Sequence, residues 1–172
     1  MHRLHDRDVT ERECGHTLRM RLVDEFRPTA RARDAASAFL KYVACSEGTD
    51  PMPCPLIEGG ILAVSELVTN AWRHGGGAVE MRLGWGECGF RVEVDDLSSI
   101  PPTIVPEGSR GSDGGYGLAL IDQLAESWGT TSRPFGKTVH AQLVRGSGSG
   151  PNSSATAHRS ELDTSPTESS RP

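Results

Sequence analysis

The sequence has no pair of cysteines at C-x-x-C spacing; its four, Cys14, Cys45, Cys54 and Cys88, are scattered and have no histidine at zinc-finger distance. That argues against a metal knuckle and a disulfide framework. Cys45 and Cys54 flank a Pro-rich loop, but reduced thiols are expected there too. No Lys/Arg run is present, and the formal net charge is −5. Nucleic acid and anionic membrane surfaces are therefore not expected partners. No apolar stretch approaches a membrane span, and the first residues, MHRLHDRDVTEREC, lack the apolar core of a signal peptide. The expectation is a cytoplasmic protein. Internal repeats are also missing.

What is there is room for one domain with a sizeable core. Residues 1–15 are charged and unpatterned, and 146–172 have almost no apolar side chain, so both ends are expected to be disordered around a domain at 16–145. Within it, Thr17–Phe26 alternates Leu18, Met20 and Leu22 as a half-buried strand does. Thr29–Val43 places Ala32, Ala35, Ala36, Phe39, Leu40 and Val43 on one helical face. Ser46–Pro55 reads as a connector. Ala78–Trp85 and Phe90–Asp95 alternate around Gly86-Glu87-Cys88-Gly89, which predicts a hairpin. A loop over Ile100–Gly117, a helix over Leu118–Ser127, and two closing strands around Pro134-Phe-Gly-Lys complete the order. The expected class is α+β, a two-layer sandwich with helices on one face of a mainly antiparallel sheet.

The chain is organised around Ile61–Gly77, ILAVSELVTNAWRHGGG. Ile57, Ile61, Val64, Val68, Ala71 and Trp72 recur at helical spacing, and the glycines stop the helix. Trp72, Trp85 and Trp128 are all read as core. Glu66, Asn70 and His74 stand at i, i+4 and i+8, which stacks a carboxylate, an amide and an imidazole beside the apolar stripe. A helix ending in Asn, Arg and His would also suit a C-terminus wetted by cationic side chains. The features downstream favour a site.

Asp96 continues the period of Val92 and Val94 to the end of a strand, whereas Asp95 points to the other side. Beyond it, GSRGSDGGYG runs into a helix at Gly115-Tyr116-Gly117-Leu118. Glycine-exposed amides at a helix start suit phosphates. A buried carboxylate at Asp96 can accept from an exocyclic amine, which separates adenine from guanine. The Asn70 oxygen is a hard ligand of the kind Mg²⁺ takes alongside phosphate and water. Glu66, one turn earlier, can orient or deprotonate an attacking hydroxyl. His74 has two readings, a helix-end packing residue or a phosphate and lid contact.

The joint order Glu66-x-x-x-Asn70, Asp96-x-Ser98, Gly115-x-Gly117-Leu118 and Gly136-Lys137-Thr138 resembles the GHKL ATP-binding domains of gyrase, Hsp90, histidine kinases and MutL. More narrowly, ELVTNAWRHG with GGYGLALIDQLAESWG resembles the single-domain anti-sigma-factor serine-protein kinases of the RsbW and SpoIIAB type, in their actinobacterial branch. The resemblance covers roughly Arg27–Val144. It implies the Bergerat fold, ATP and Mg²⁺, with Asn70 as metal ligand, Glu66 as catalytic base and Asp96 as the adenine-binding aspartate. Gly115 and Gly117 become hinge and phosphate positions, and Thr138 is expected near the base. Ser98 replaces a frequent glycine, and Tyr116 and His140 also depart from the pattern. The implied partners are a sigma factor and a STAS-type antagonist protein, with dimerisation possible by analogy. The expected activity is a serine/threonine-protein kinase that phosphorylates the antagonist; the alternative is a non-catalytic, ATP-dependent binding switch. No phosphoacceptor helical domain precedes these motifs, so a complete histidine kinase is not expected. Gly136-Lys137-Thr138 also mimics the end of a Walker A loop, but Thr131 stands at the required first glycine and a strand follows.

Overall fold

The structure, a computed structural model, describes residues 14–23, 25–46, 52–106, 108 and 115–144. Three helices and five strands follow one another as β1 (Cys14–Arg21), α1 (Pro28–Ser46), α2 (Cys54–His74), β2 (Ala78–Gly86), β3 (Gly89–Asp96), α3 (Gly117–Leu124), β4 (Ser127–Arg133) and β5 (Gly136–Leu143). The strands form one sheet in the order β1-β2-β3-β5-β4, antiparallel throughout. This is the expected two-layer α+β sandwich, with β3 central and α2 packed on it. The expected disordered ends lie outside the described residues, except that Cys14 and Gly15 already belong to β1.

Two boundaries differ from the sequence reading. The first strand ends at Arg21 rather than running to Phe26, which is 89% exposed. Pro28 then opens α1, a position where its fixed φ and missing N–H cost nothing. The last helix stops at Leu124, after which Ala125 turns extended and Ser127 enters β4.

Period two sorts the side chains of the sheet. Phe90, Val92, Val94 and Asp96 of β3 face the helices, as do Met81, Leu83 and Trp85 of β2 and Val139, Ala141 and Leu143 of β5. Against them α2 lays Leu56, Ala63, Val64, Leu67, Val68 and Ala71, all buried. The stripe expected on this helix is there, with one correction. Trp72 is 56% exposed, because one step past Ala71 turns it about 100° away from the buried face. Trp85 is core at 1% exposure, and Trp128 is half-buried with its indole N–H donating to Asp122. Among the described residues Cys45, Cys54 and Cys88 are free thiols.

The opposite face of the sheet is polar and internally paired. Arg82 donates to Glu80, Glu93 and Asp95 at 2.8–2.9 Å. Asp95 also accepts from Arg133 and from the Thr138 hydroxyl. Burial opposes the charge of Arg82, but its bonds to Asp95 and Glu93 outweigh that and raise its pKa further. For Asp95 and Glu93, burial raises the pKa, yet the Arg82 bonds and charge overcome it, so both carboxylates titrate below their usual range.

Candidate functional site

A cleft of about 640 Å³ opens between the C-terminal half of α2, the end of β3, the start of β5 and the N-terminus of α3. That volume lies within the range of small-molecule sites, roughly 300–1,000 Å³. Val94, Val139 and Ile121 form an apolar floor. Polar groups converge on it from three directions.

The first direction is α2. Glu66, Asn70 and His74 all line the cleft, so the ridge inferred from the sequence is real. The helix ends where Gly75 N–H donates to Ala71 O at 2.9 Å. Gly75 O in turn accepts from Leu97 N–H at 2.9 Å, which ties the helix end to the exit of β3. This approach leaves no room for a side chain: a Cβ on Gly75 would stand 2.6 Å from the Asp96 carboxylate.

The second direction is α3. Gly115 has φ +98°, a conformation glycine adopts without strain, and it delivers the chain into the first turn at Gly117. Gly115, Gly117 and Leu118 line the cleft. Gly117 lies so close to Glu66 that an added Cβ would collide with its Oε2. The expected loop before this turn is described at 100–106, 108 and 115–116; the remainder of that expectation falls outside the described residues.

The third direction is the β3–β5 ladder, where two expectations need correcting. Asp96 is 3% exposed and lines the cleft as expected, on the face opposite Asp95. Its carboxylate, however, is already engaged. Lys137 Nζ sits 2.8 Å from each of its oxygens, and Ser98 N–H donates to Oδ1 at 3.0 Å. Thr138 does not reach the cleft. The register pairs Asp95 with Thr138 and Asp96 with Lys137, so Thr138 belongs to the polar face and its hydroxyl bonds Asp95 at 2.7 Å. Ser98 is likewise a support rather than a lining residue: its carbonyl accepts from Lys137 at 3.2 Å and its hydroxyl from Ile100 N–H. The inward run Val139, Ala141, Leu143 extends backwards by twos to Lys137, so the alternation of β5 carried the signal for this residue.

The donor set fits a Mg²⁺-nucleotide. No group of three or more His, Cys, Asp and Glu side chains is assembled for a metal among the described residues. The Asn70 amide oxygen offers instead a hard oxygen ligand of the kind that suits Mg²⁺ when phosphate and water complete the shell. Among the same residues no helix is long and apolar enough to cross a membrane. The sequence model of the histidine kinase-like ATPase domain matches residues 25–143. No curated protein matches the chain significantly.

Proposed function

The chain belongs to the histidine kinase-like ATPase domain family, and from that membership we propose that its cleft binds Mg-ATP for phosphoryl transfer to a protein. The observation that carries this reading is the convergence of Glu66, Asn70, Asp96 and the Gly115–Gly117 turn on one cleft. Asn70 holds Mg²⁺ through its amide oxygen. The amides at the glycine turn and the start of α3 meet phosphate oxygens, and the apolar floor of Val94, Val139 and Ile121 takes the base. ATP supplies the activated terminal phosphoryl group.

Glu66 lines the same cleft one turn before Asn70, and in this reading it is the base. An incoming serine or threonine hydroxyl held against it gives up its proton to the carboxylate as the new P–O bond forms and ADP leaves. The acceptor we propose is a STAS-type antagonist protein, and the second partner a sigma factor held while the antagonist is phosphorylated. Support for these partners is the sequence resemblance of ELVTNAWRHG and GGYGLALIDQLAESWG to the anti-sigma kinases. Incubating the chain with labelled ATP, Mg²⁺ and STAS-type proteins tests the reading. Label on a serine or threonine of the antagonist is expected; ATP-dependent capture of partners without any transfer of label would replace the kinase with a binding switch.

A further inference from the structure

The apolar floor of the cleft ends in a charged pair. Inward positions run from Val94 to Asp96 on β3 and from Val139 to Lys137 on β5, so one step of about 7 Å carries each strand from the floor to a polar group. A purine lying on Val94 and Val139 turns one edge to that pair. An ammonium has three N–H donors and each carboxylate oxygen about two lone pairs. Oδ1 of Asp96 is filled by Ser98 N–H and Lys137 Nζ, whereas Oδ2 accepts among the described residues from Nζ alone, at 2.8 Å, and keeps one acceptor site. The third Nζ donor goes to Ser98 O at 3.2 Å, the longest of the three bonds. Ser98 is half-buried, so water can take over its carbonyl.

The pair thus turns to the cleft one free acceptor beside one donor that a ligand can claim. The 6-amino edge of adenine answers that order: an N–H of the amine faces Oδ2, and the bare ring nitrogen N1 next to it faces Nζ. A 6-oxopurine presents the reverse order, a carbonyl to the carboxylate and a ring N–H to the ammonium. It is mismatched at both atoms.

We propose that Lys137 is a specificity-determining residue of the cleft, donating to N1 of adenine while Asp96 accepts from the amine beside it. The inference rests on the nucleotide reading of the cleft, and the experiment separates the two. Full-length protein is titrated by calorimetry with ADP and with 1-deaza-ADP, in which a C–H replaces N1 and the amine is kept. In the wild type 1-deaza-ADP should bind at least about tenfold more weakly, the loss expected for a hydrogen bond from a charged donor. In Lys137→Met, whose folding is checked by its melting transition, the two nucleotides should bind within about threefold of one another, because the donor that tells them apart is gone. A role confined to holding the strands would weaken both nucleotides alike and leave their ratio as in the wild type. Lys137→Gln, which keeps a neutral donor beside Asp96, is the second variant, and there the ratio should fall severalfold. Equal affinities in the wild type, or a wild-type ratio in whichever variant folds, overturn the role of Lys137 and leave the nucleotide site standing. Failure of ADP itself to bind the wild type overturns the site and the inference together.

Discussion

Lys137 and Asp96 lock the inward faces of β5 and β3 together, with Nζ 2.8 Å from both carboxylate oxygens in a pair that is almost entirely buried. The pair also fixes the exit of β3, since Asp96 Oδ1 accepts from Ser98 N–H and Lys137 donates to Ser98 O. A buried ion pair of this kind adds little net stability against an apolar replacement, but removing one partner strands the other.

Lys137→Met should therefore cost about 3–5 kcal/mol of folding stability, and adding Asp96→Leu should return part of it. Urea unfolding of both single variants and the double variant measures the coupling. Strictly additive losses would show that the two groups do not depend on one another.

Gly117→Ala tests the contact beneath α3. Gly117 has no positive φ, and the atom its Cβ would meet is the far end of the flexible Glu66 side chain, so the fold should tolerate alanine. The new Cβ displaces Glu66, whose Oε2 occupies that space. Nucleotide affinity should hold while phosphoryl transfer falls about a hundredfold, the lower end of general-base effects. Calorimetry and a transfer assay on the same preparation separate the two readouts.

The polar face of the sheet sets the acid stability. Asp95 and Glu93 titrate below their ordinary values in the folded chain, so between the folded and unfolded pKa values the unfolded chain binds more protons. Their contribution is present above about pH 5 and is lost as pH falls through the folded values. Asp95→Asn should lower stability at pH 7 and flatten its decline from pH 5 to pH 3, read by urea unfolding across that range. A decline as steep as in the wild type would place the effect elsewhere.

Truncation after Arg145 should leave the melting temperature and nucleotide affinity unchanged. Beyond it, Ala155, Ala157 and Leu162 are the only hydrophobic residues, and β5 already ends at Leu143. A clear fall in melting temperature would show that the segment docks on the domain.

Much of this architecture is written in periodicity. Period two in β2 and β3 distinguishes Asp96 from Asp95 correctly, and helical spacing on α2 aligns Glu66, Asn70 and His74 in one cleft. Motif resemblance puts Thr138 near the base, but the register decides otherwise: pairing with Asp95 sends it to the polar face and brings Lys137 inward. Trp72 fits the apolar pattern only loosely, since one step past Ala71 carries it off the buried face and leaves it 56% exposed. The Asp96–Lys137 pair itself was not legible, because residues 41 positions apart meet only through strand pairing that local spacing does not encode.

The central claim, a base and a metal ligand one turn apart on α2, is tested most directly by comparing Glu66→Ala with Asn70→Ala in nucleotide binding and in transfer to the antagonist. Loss of a metal ligand should weaken Mg-nucleotide binding, whereas loss of a base should spare it and slow transfer by roughly 10²–10⁴-fold. The account predicts that Asn70→Ala binds Mg-ATP poorly, and that Glu66→Ala binds like the wild type yet phosphorylates far more slowly. Wild-type transfer rates in Glu66→Ala, or undiminished Mg-ATP affinity in Asn70→Ala, would contradict it.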